Sequence, residues 1–255
     1  MNGDKDLERN RYDSRANLQM SQNLFDVETA SGSRTMVAYL QAPYLYYEQK
    51  IRALVDARMR VLELGAGSGT HTHALLETGA SVTVSDISQN SLALLRQRYR
   101  NTEGLLESVV ADMENLPFDS GSFDVVASAG SLSYGEPKRV DSEIRRVLRP
   151  GGMLICVDSF NHNPIYRFNR WLHYLRGNRT KSTLKHMPDL TRIQALEESF
   201  IDVQVKYFGA LTFAMPLVAR CLGESTAKSV SDRFDRWIDV KRSAFKFVLV
   251  AHALS

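Results

Sequence analysis

The 255-residue sequence is short of cysteine, of long apolar runs and of charge of one sign, and each shortage closes off a class of protein. Cysteine occurs twice, as Cys156 and Cys221, far apart and outside any CxxC pattern. That excludes a disulfide framework and offers no zinc-ligand spacing. No apolar stretch nears the roughly 18 residues that a membrane span needs; Ala210–Ala219 is too short, and Arg220 closes it. The formal net charge of +3 does not demand nucleic acid as a partner. The opening segment, MNGDKDLERNRYDSRAN, is polar and mixed in charge, unlike a secretory signal. Internal repeats and low-complexity tracts are missing, and no cluster of Asp, Glu and His forms by spacing, so no metal is expected. These absences together predict a cytoplasmic, soluble protein.

What is present is an ordinary globular composition, 44% apolar and 24% charged, in a chain long enough for one sizeable α/β domain. Residues 1–55 read as a helical arm or lid, containing the loop-like Ser31-Gly32-Ser33 and an aromatic helix between Tyr39 and Val55. From Arg60 onward, short apolar runs alternate with helical spacing. Val61–Leu64, Val82–Ser85, Leu106–Val110, Val125–Ala129 and Met153–Val157 read as buried strands. His71–Leu76, Ser91–Tyr99 and Val140–Leu148 read as the helices between them. Such alternation predicts right-handed βαβ units and a parallel sheet covered on both faces. A helix at Thr191–Glu198 and strands at Val203–Phe208 and Phe245–Ala251 complete residues 56–255.

The most informative segment is Val61-Leu62-Glu63-Leu64-Gly65-Ala66-Gly67-Ser68-Gly69-Thr70, a strand running into a glycine turn and a helix. Glycines let the backbone turn sharply and let a ligand approach where a Cβ would intrude. The free N–H groups of a helix start favour an anionic group such as an amino-acid carboxylate. The dinucleotide fingerprint GxGxxG would place glycine at position 70, where this chain has Thr70. Asp86 ends the second strand, 17 residues after Gly69, where a carboxylate can accept from both hydroxyls of a ribose. Asp112 ends the third and can accept from an adenine amino group, with Ile87 and Met113 placed to sandwich the ring. The fourth strand ends in small residues, Ser128-Ala129-Gly130, which leave room for a ligand.

In order and spacing, ELGAGSGT, the Asp86 strand end, ADMENLPF, SFDVV and RVLRPGG resemble the motifs of class I methyltransferases. The closest likeness is to the ubiquinone/menaquinone-biosynthesis-like subgroup, and it covers about residues 60–158. It implies a Rossmann-like, seven-stranded, mostly parallel sheet with helices on both faces and an antiparallel last strand. It also implies S-adenosyl-L-methionine as cofactor, held by Glu63, Gly65, Ala66, Gly67, Gly69, Asp86, Ile87, Asp112, Met113 and Ser128.

The acceptor is read from the segment Ser159–Leu190, which carries six Lys or Arg residues and the single acid Asp189. At 100° per residue, Ile165, Phe168, Trp171, Leu172 and Leu175 share one helical face, with Arg167, Arg170, His173, Tyr166 and Tyr174 on the other. A helix packing its apolar face on the core fits this pattern. So do arginines (Arg167, Arg170) that select a phosphate or carboxylate, and peripheral contact with an anionic membrane. The run from His162 to Gly177 also resembles inserts of methyltransferases associated with bacterial polysaccharide synthesis, which implies an anionic, sugar-like acceptor. O-methylation of a sugar or another small anionic metabolite is therefore expected, with C-methylation of a polyprenylated quinone-like ring, or cofactor sensing without catalysis, as the alternatives. His162 is the expected general base and Tyr134 the acceptor-positioning residue; His71 and His73 are expected to be structural. Asn163-Pro164-Ile165-Tyr166 is not the NPPY motif of nucleic-acid amine methylation, which belongs at the end of the fourth strand, so no nucleic-acid substrate is expected.

Overall fold

The computed structural model describes residues 3–26, 36–102, 104–175, 180–237 and 241–254. The segment Ser31-Gly32-Ser33 and the cations Arg176 and Arg179 lie outside them. Seven strands form one sheet in the order β3-β2-β1-β4-β5-β7-β6. They are β1 (Arg60–Leu64), β2 (Ser81–Asp86), β3 (Leu106–Val110), β4 (Phe123–Ala129), β5 (Leu148–Ser159), β6 (Ile201–Phe208) and β7 (Lys246–His252). The pairings β1–β2, β1–β4, β2–β3 and β4–β5 are parallel. β7 inserts between β5 and β6, antiparallel to both. The expected α/β architecture, including the antiparallel last strand, is thus present.

Ten helices accompany the sheet among the described residues: α1 (Gly3–Ser21), α2 (Ala42–Leu54), α3 (Thr72–Leu76), α4 (Gln89–Arg98), α5 (Pro137–Val147), α6 (Pro164–Leu175), α7 (Lys181–His186), α8 (Leu190–Ser199), α9 (Met215–Leu222) and α10 (Glu224–Trp237). Their starts are marked chemically. Ser88 and Asp189 accept from the N–H groups of Ser91 and Arg192, and Glu136 accepts from Arg139 ahead of Pro137, satisfying donors that a helix start leaves unpaired.

Strand side chains alternate between faces, and here both faces are buried. Leu62, Leu64, Val126 and Leu154 meet Val140, Ile144 and Val147 of α5 on one side. Val61, Val84, Val125 and Ile155 meet Ile51 of α2, Leu75 of α3 and Leu95 of α4 on the other. A strand covered on both sides reads as a continuous apolar run, which is why β1, β4 and the second half of β5 were legible; β3, at the sheet edge, has no buried residue. Because β1, β2, β3 and β4 run parallel, their carboxyl ends share one edge, where open α/β sheets bind ligands.

Candidate active site

At that edge lies a cavity of about 450 Å³. The turn after β1 forms its floor, with Gly65 and Gly67 at positive φ (62° and 54°). A Cβ on Gly65 would come within 2.3 Å of Ser131 Cβ, whereas one on Gly67 would meet no protein atom. Since Gly67 lines the cavity, that Cβ would occupy ligand space. Asp86 is fixed by the same turn. Gly67 N–H donates to its Oδ2 at 2.8 Å and Ser88 N–H to its Oδ1 at 2.8 Å. Burial raises the Asp86 carboxyl, opposed by these amides.

Glu63 faces the cavity from inside β1, 2% exposed. One oxygen accepts from Thr72 Oγ1 at 2.6 Å, and the other has no hydrogen-bond partner among the described residues. Burial pushes this carboxyl up to about 7. A buried acid with one open oxygen suits a ligand ammonium group, whose charge would favour the ionised form.

Helix α1 lies over the opening. Lys5 Nζ bridges Asp112 at 2.6 Å and Glu114 at 2.9 Å. Tyr12 donates to Tyr134 Oη at 2.6 Å, and Ser88 Oγ donates to Asp13 at 2.6 Å. Lys5, Glu8, Tyr12, Arg15, Ala16 and Gln19 all line the cavity. In free sequence α1 is only a polar helical arm; its role is created by contacts across 75 to 122 residues.

His71 also lines the cavity. Its ring stacks on Tyr44 at 4.8 Å with an interplanar angle of 1°, and its Nδ1 lies 3.4 Å from buried Glu48. Nε2 has no hydrogen-bond partner among the described residues. Burial holds the imidazole below its ordinary value, with Glu48 opposing, so neutral imidazole is the form near pH 7.

Of the residues expected from sequence, Glu63, Gly65, Ala66, Gly67, Asp86, Ile87, Asp112, Met113 and Tyr134 line the cavity. Gly69 and Ser128 do not. A Cβ at Gly69 would strike Tyr99 at 2.7 Å, so that glycine serves helix packing. Ser128 is fully buried, its Oγ 2.7 Å from Ser131 Oγ.

His162, the expected base, is absent from the cavity wall. Asn161 N–H donates to Pro188 O at 2.8 Å and the His162 ring lies 6.1 Å from Phe160. Asn163 then accepts from Ile165 N–H at 2.8 Å, starting α6. The two arginines expected to hold an anionic acceptor are absent from the wall as well. Arg170 is 4% exposed, donating to Phe160 O at 2.6 Å and Asn161 Oδ1 at 3.1 Å, and Arg167 is exposed outside the cavity. The signals for the missed residues Tyr12, Tyr44 and His71 were weak, because nothing local distinguishes a tyrosine or histidine that faces a cavity from one in a core.

A glycine turn at the cavity floor, with Asp86 ending β2 and Asp112 just after β3, matches the pattern of class I methyltransferases. Comparison with known proteins agrees. Residues 62–156 match the methyltransferase domain family model. A demethylmenaquinone methyltransferase of Clavibacter sepedonicus is 41% identical over 110 residues, covering 42% of this chain and 44% of that protein. A phthiotriol/phenolphthiotriol dimycocerosates methyltransferase of Mycobacterium tuberculosis is 39% identical over 109 residues, covering 42% and 40%. The match thus spans less than half the length of these curated relatives. Among solved structures, geranyl diphosphate C-methyltransferase of Streptomyces coelicolor superposes with a TM-score of 0.60 at 17% identity, covering 85% of this chain and 80% of that one; it shares the fold. Residues 62–156 thus resemble methyltransferase domains, demethylmenaquinone methyltransferases among them.

Proposed function

We propose that the chain transfers a methyl group from S-adenosylmethionine to a small ring-bearing acceptor of quinol type. The observation that carries this reading is the cavity wall. The glycine turn and carboxylates fit the cofactor, while Tyr12, Tyr44, Tyr134, Met36 and His71 supply an aromatic and apolar surface. Arg170, the expected ligand of an anionic acceptor, is spent on Phe160 O and Asn161. The demethylmenaquinone methyltransferase relatives favour the same class.

The cofactor, when bound, supplies a methyl group on an activated sulfonium. The backbone at Gly65, Ala66 and Gly67 would receive its amino-acid end and Glu63 its ammonium. Asp86 would accept from the ribose hydroxyls, Asp112 from the adenine amino group, and Ile87 and Met113 would flank the base. Helix α1 would act as the lid that excludes water, its Tyr12–Tyr134 pair sitting over the acceptor. His71 Nε2 would take the acceptor hydroxyl proton, with Glu48 holding the Nδ1–H so that Nε2 is the basic nitrogen.

Titration calorimetry with S-adenosylmethionine and S-adenosylhomocysteine, followed by product analysis on a demethylated quinol and on nucleotide sugars, tests this reading. Binding of both cofactor forms and a methylated quinol are expected. Methylation of the sugars alone would return the acceptor to the anionic class, and no cofactor binding would overturn the whole reading.

A further inference from the structure

Helix α6 is amphipathic in the opposite sense from a core-packing helix. Its apolar face points outward: Ile165 is 49% exposed, Phe168 59%, Trp171 47% and Leu175 59%. The face that packs on the domain is the polar one. Tyr166 donates to Gly209 O at 2.7 Å and accepts from Phe213 N–H at 3.1 Å, and Arg170 is tied to the end of β5. These bonds fix the helix rotation, so the outward apolar face is set by the fold. Phe213 packs edge-on against Tyr166 and is itself 47% exposed, and Leu217 on α9 is 68% exposed.

Exposed cations without carboxylate partners sit on α6, α7 and α9, while Asp4 is held by Ser182 N–H and Asp235 by the N–H groups of Gly209 and Ala210. Arg167 on α6, Lys181 and Lys185 on α7 and Arg220 on α9 are exposed, and none has a carboxylate partner among the described residues. At 12 residues α6 cannot cross a bilayer, and no described helix is long and apolar enough to do so. Apolar and aromatic side chains rimmed by Lys and Arg match the headgroup boundary of an anionic membrane, which such a helix enters by a few ångströms while lying flat.

We infer that α6, with the Phe213–Leu217 edge, is a docking surface for an anionic lipid bilayer. The inference does not depend on the reaction proposed above. It has a consequence for it: α6 follows β5 at the sheet edge that holds the cavity, so docking would bring the cavity to the membrane surface, where a lipid-borne acceptor resides.

The test is flotation of the full chain with phosphatidylcholine vesicles, with and without phosphatidylglycerol, alongside sedimentation velocity of the protein alone. Co-flotation with the anionic vesicles and its loss at high salt are expected. Phe168→Ser combined with Trp171→Ser should lower partitioning by about tenfold or more, since two aromatic side chains no longer enter the lipid. Lys181→Glu with Lys185→Glu should abolish the preference for phosphatidylglycerol. All four positions are exposed, and unchanged cofactor binding would show that the variants fold. Failure to float, or equal flotation of the Phe168/Trp171 variant, would overturn the inference. So would a dimer that the same two substitutions dissociate without any vesicle binding, which would assign the patch to a second copy of the chain.

Discussion

Replacing Glu63 with glutamine separates the cost of a buried carboxyl from its use. In the folded protein this group titrates near 7 because it is buried, against an ordinary 4.5. The folded state therefore holds the Glu63 proton more tightly than the unfolded chain does. Its favourable contribution is complete below pH 4.5 and is lost as pH rises to about 7. At about 1.4 kcal/mol for each pH unit between those two values, the loss is about 3 kcal/mol, with no further change above neutrality. Glu63→Gln keeps the bond from Thr72 and cannot ionise, so the variant should be more stable than the parent by about 3 kcal/mol at pH 8 and equal to it near pH 4.5. Urea unfolding of both proteins at a series of pH values measures the difference, and other buried acids such as Asp158 cancel because both carry them. The variant should bind S-adenosylmethionine more weakly, having lost the partner for the ammonium. Parallel stability profiles between pH 4.5 and 8 would refute the argument, because they would mean that Glu63 titrates normally.

Gly67→Ala should cost only about 1 kcal/mol in unfolding experiments, for an alanine at φ 54°, yet weaken cofactor binding about tenfold or more by calorimetry, because its methyl enters ligand space. His71→Ala should lower kcat by a factor of roughly 10²–10⁴ with cofactor affinity little changed, and should remove the acid limb of the pH–rate profile; His162→Ala should leave turnover near that of the parent. Arg170→Met should leave KM for the acceptor unchanged and reduce stability by about 2 kcal/mol, because the carbonyl of Phe160 loses a charged donor in a buried place; a raised KM with unchanged stability would restore Arg170 to the acceptor site.

Local sequence was enough to place the strands and the glycine and carboxylate side of the cavity. Strands buried on both faces announce themselves as short apolar runs, and the Gly65–Gly67 turn, Asp86 and Asp112 are each set by a strand end, so their placement follows once the strands are known. Gly69 shows where the same logic overreached. It sits in the motif, but its missing Cβ makes room for Tyr99 and Leu95 rather than for a ligand. The other half arises from long-range packing. The placement of α1 over the cavity depends on Lys5 reaching Asp112 and Tyr12 reaching Tyr134, contacts that no window of local sequence contains. Likewise, His71 becomes a candidate base only because Glu48 lies 3.4 Å from its Nδ1 and Tyr44 stacks on its ring, both from a different helix. Periodicity found both faces of α6 but not which one turns inward. The apolar face is the default for burial, yet Arg170 supplies the donor for the backbone carbonyl of Phe160, and Tyr166 bonds both Gly209 O and Phe213 N–H. Leaving buried polar groups unpaired costs more than exposing a few apolar side chains that a membrane can cover.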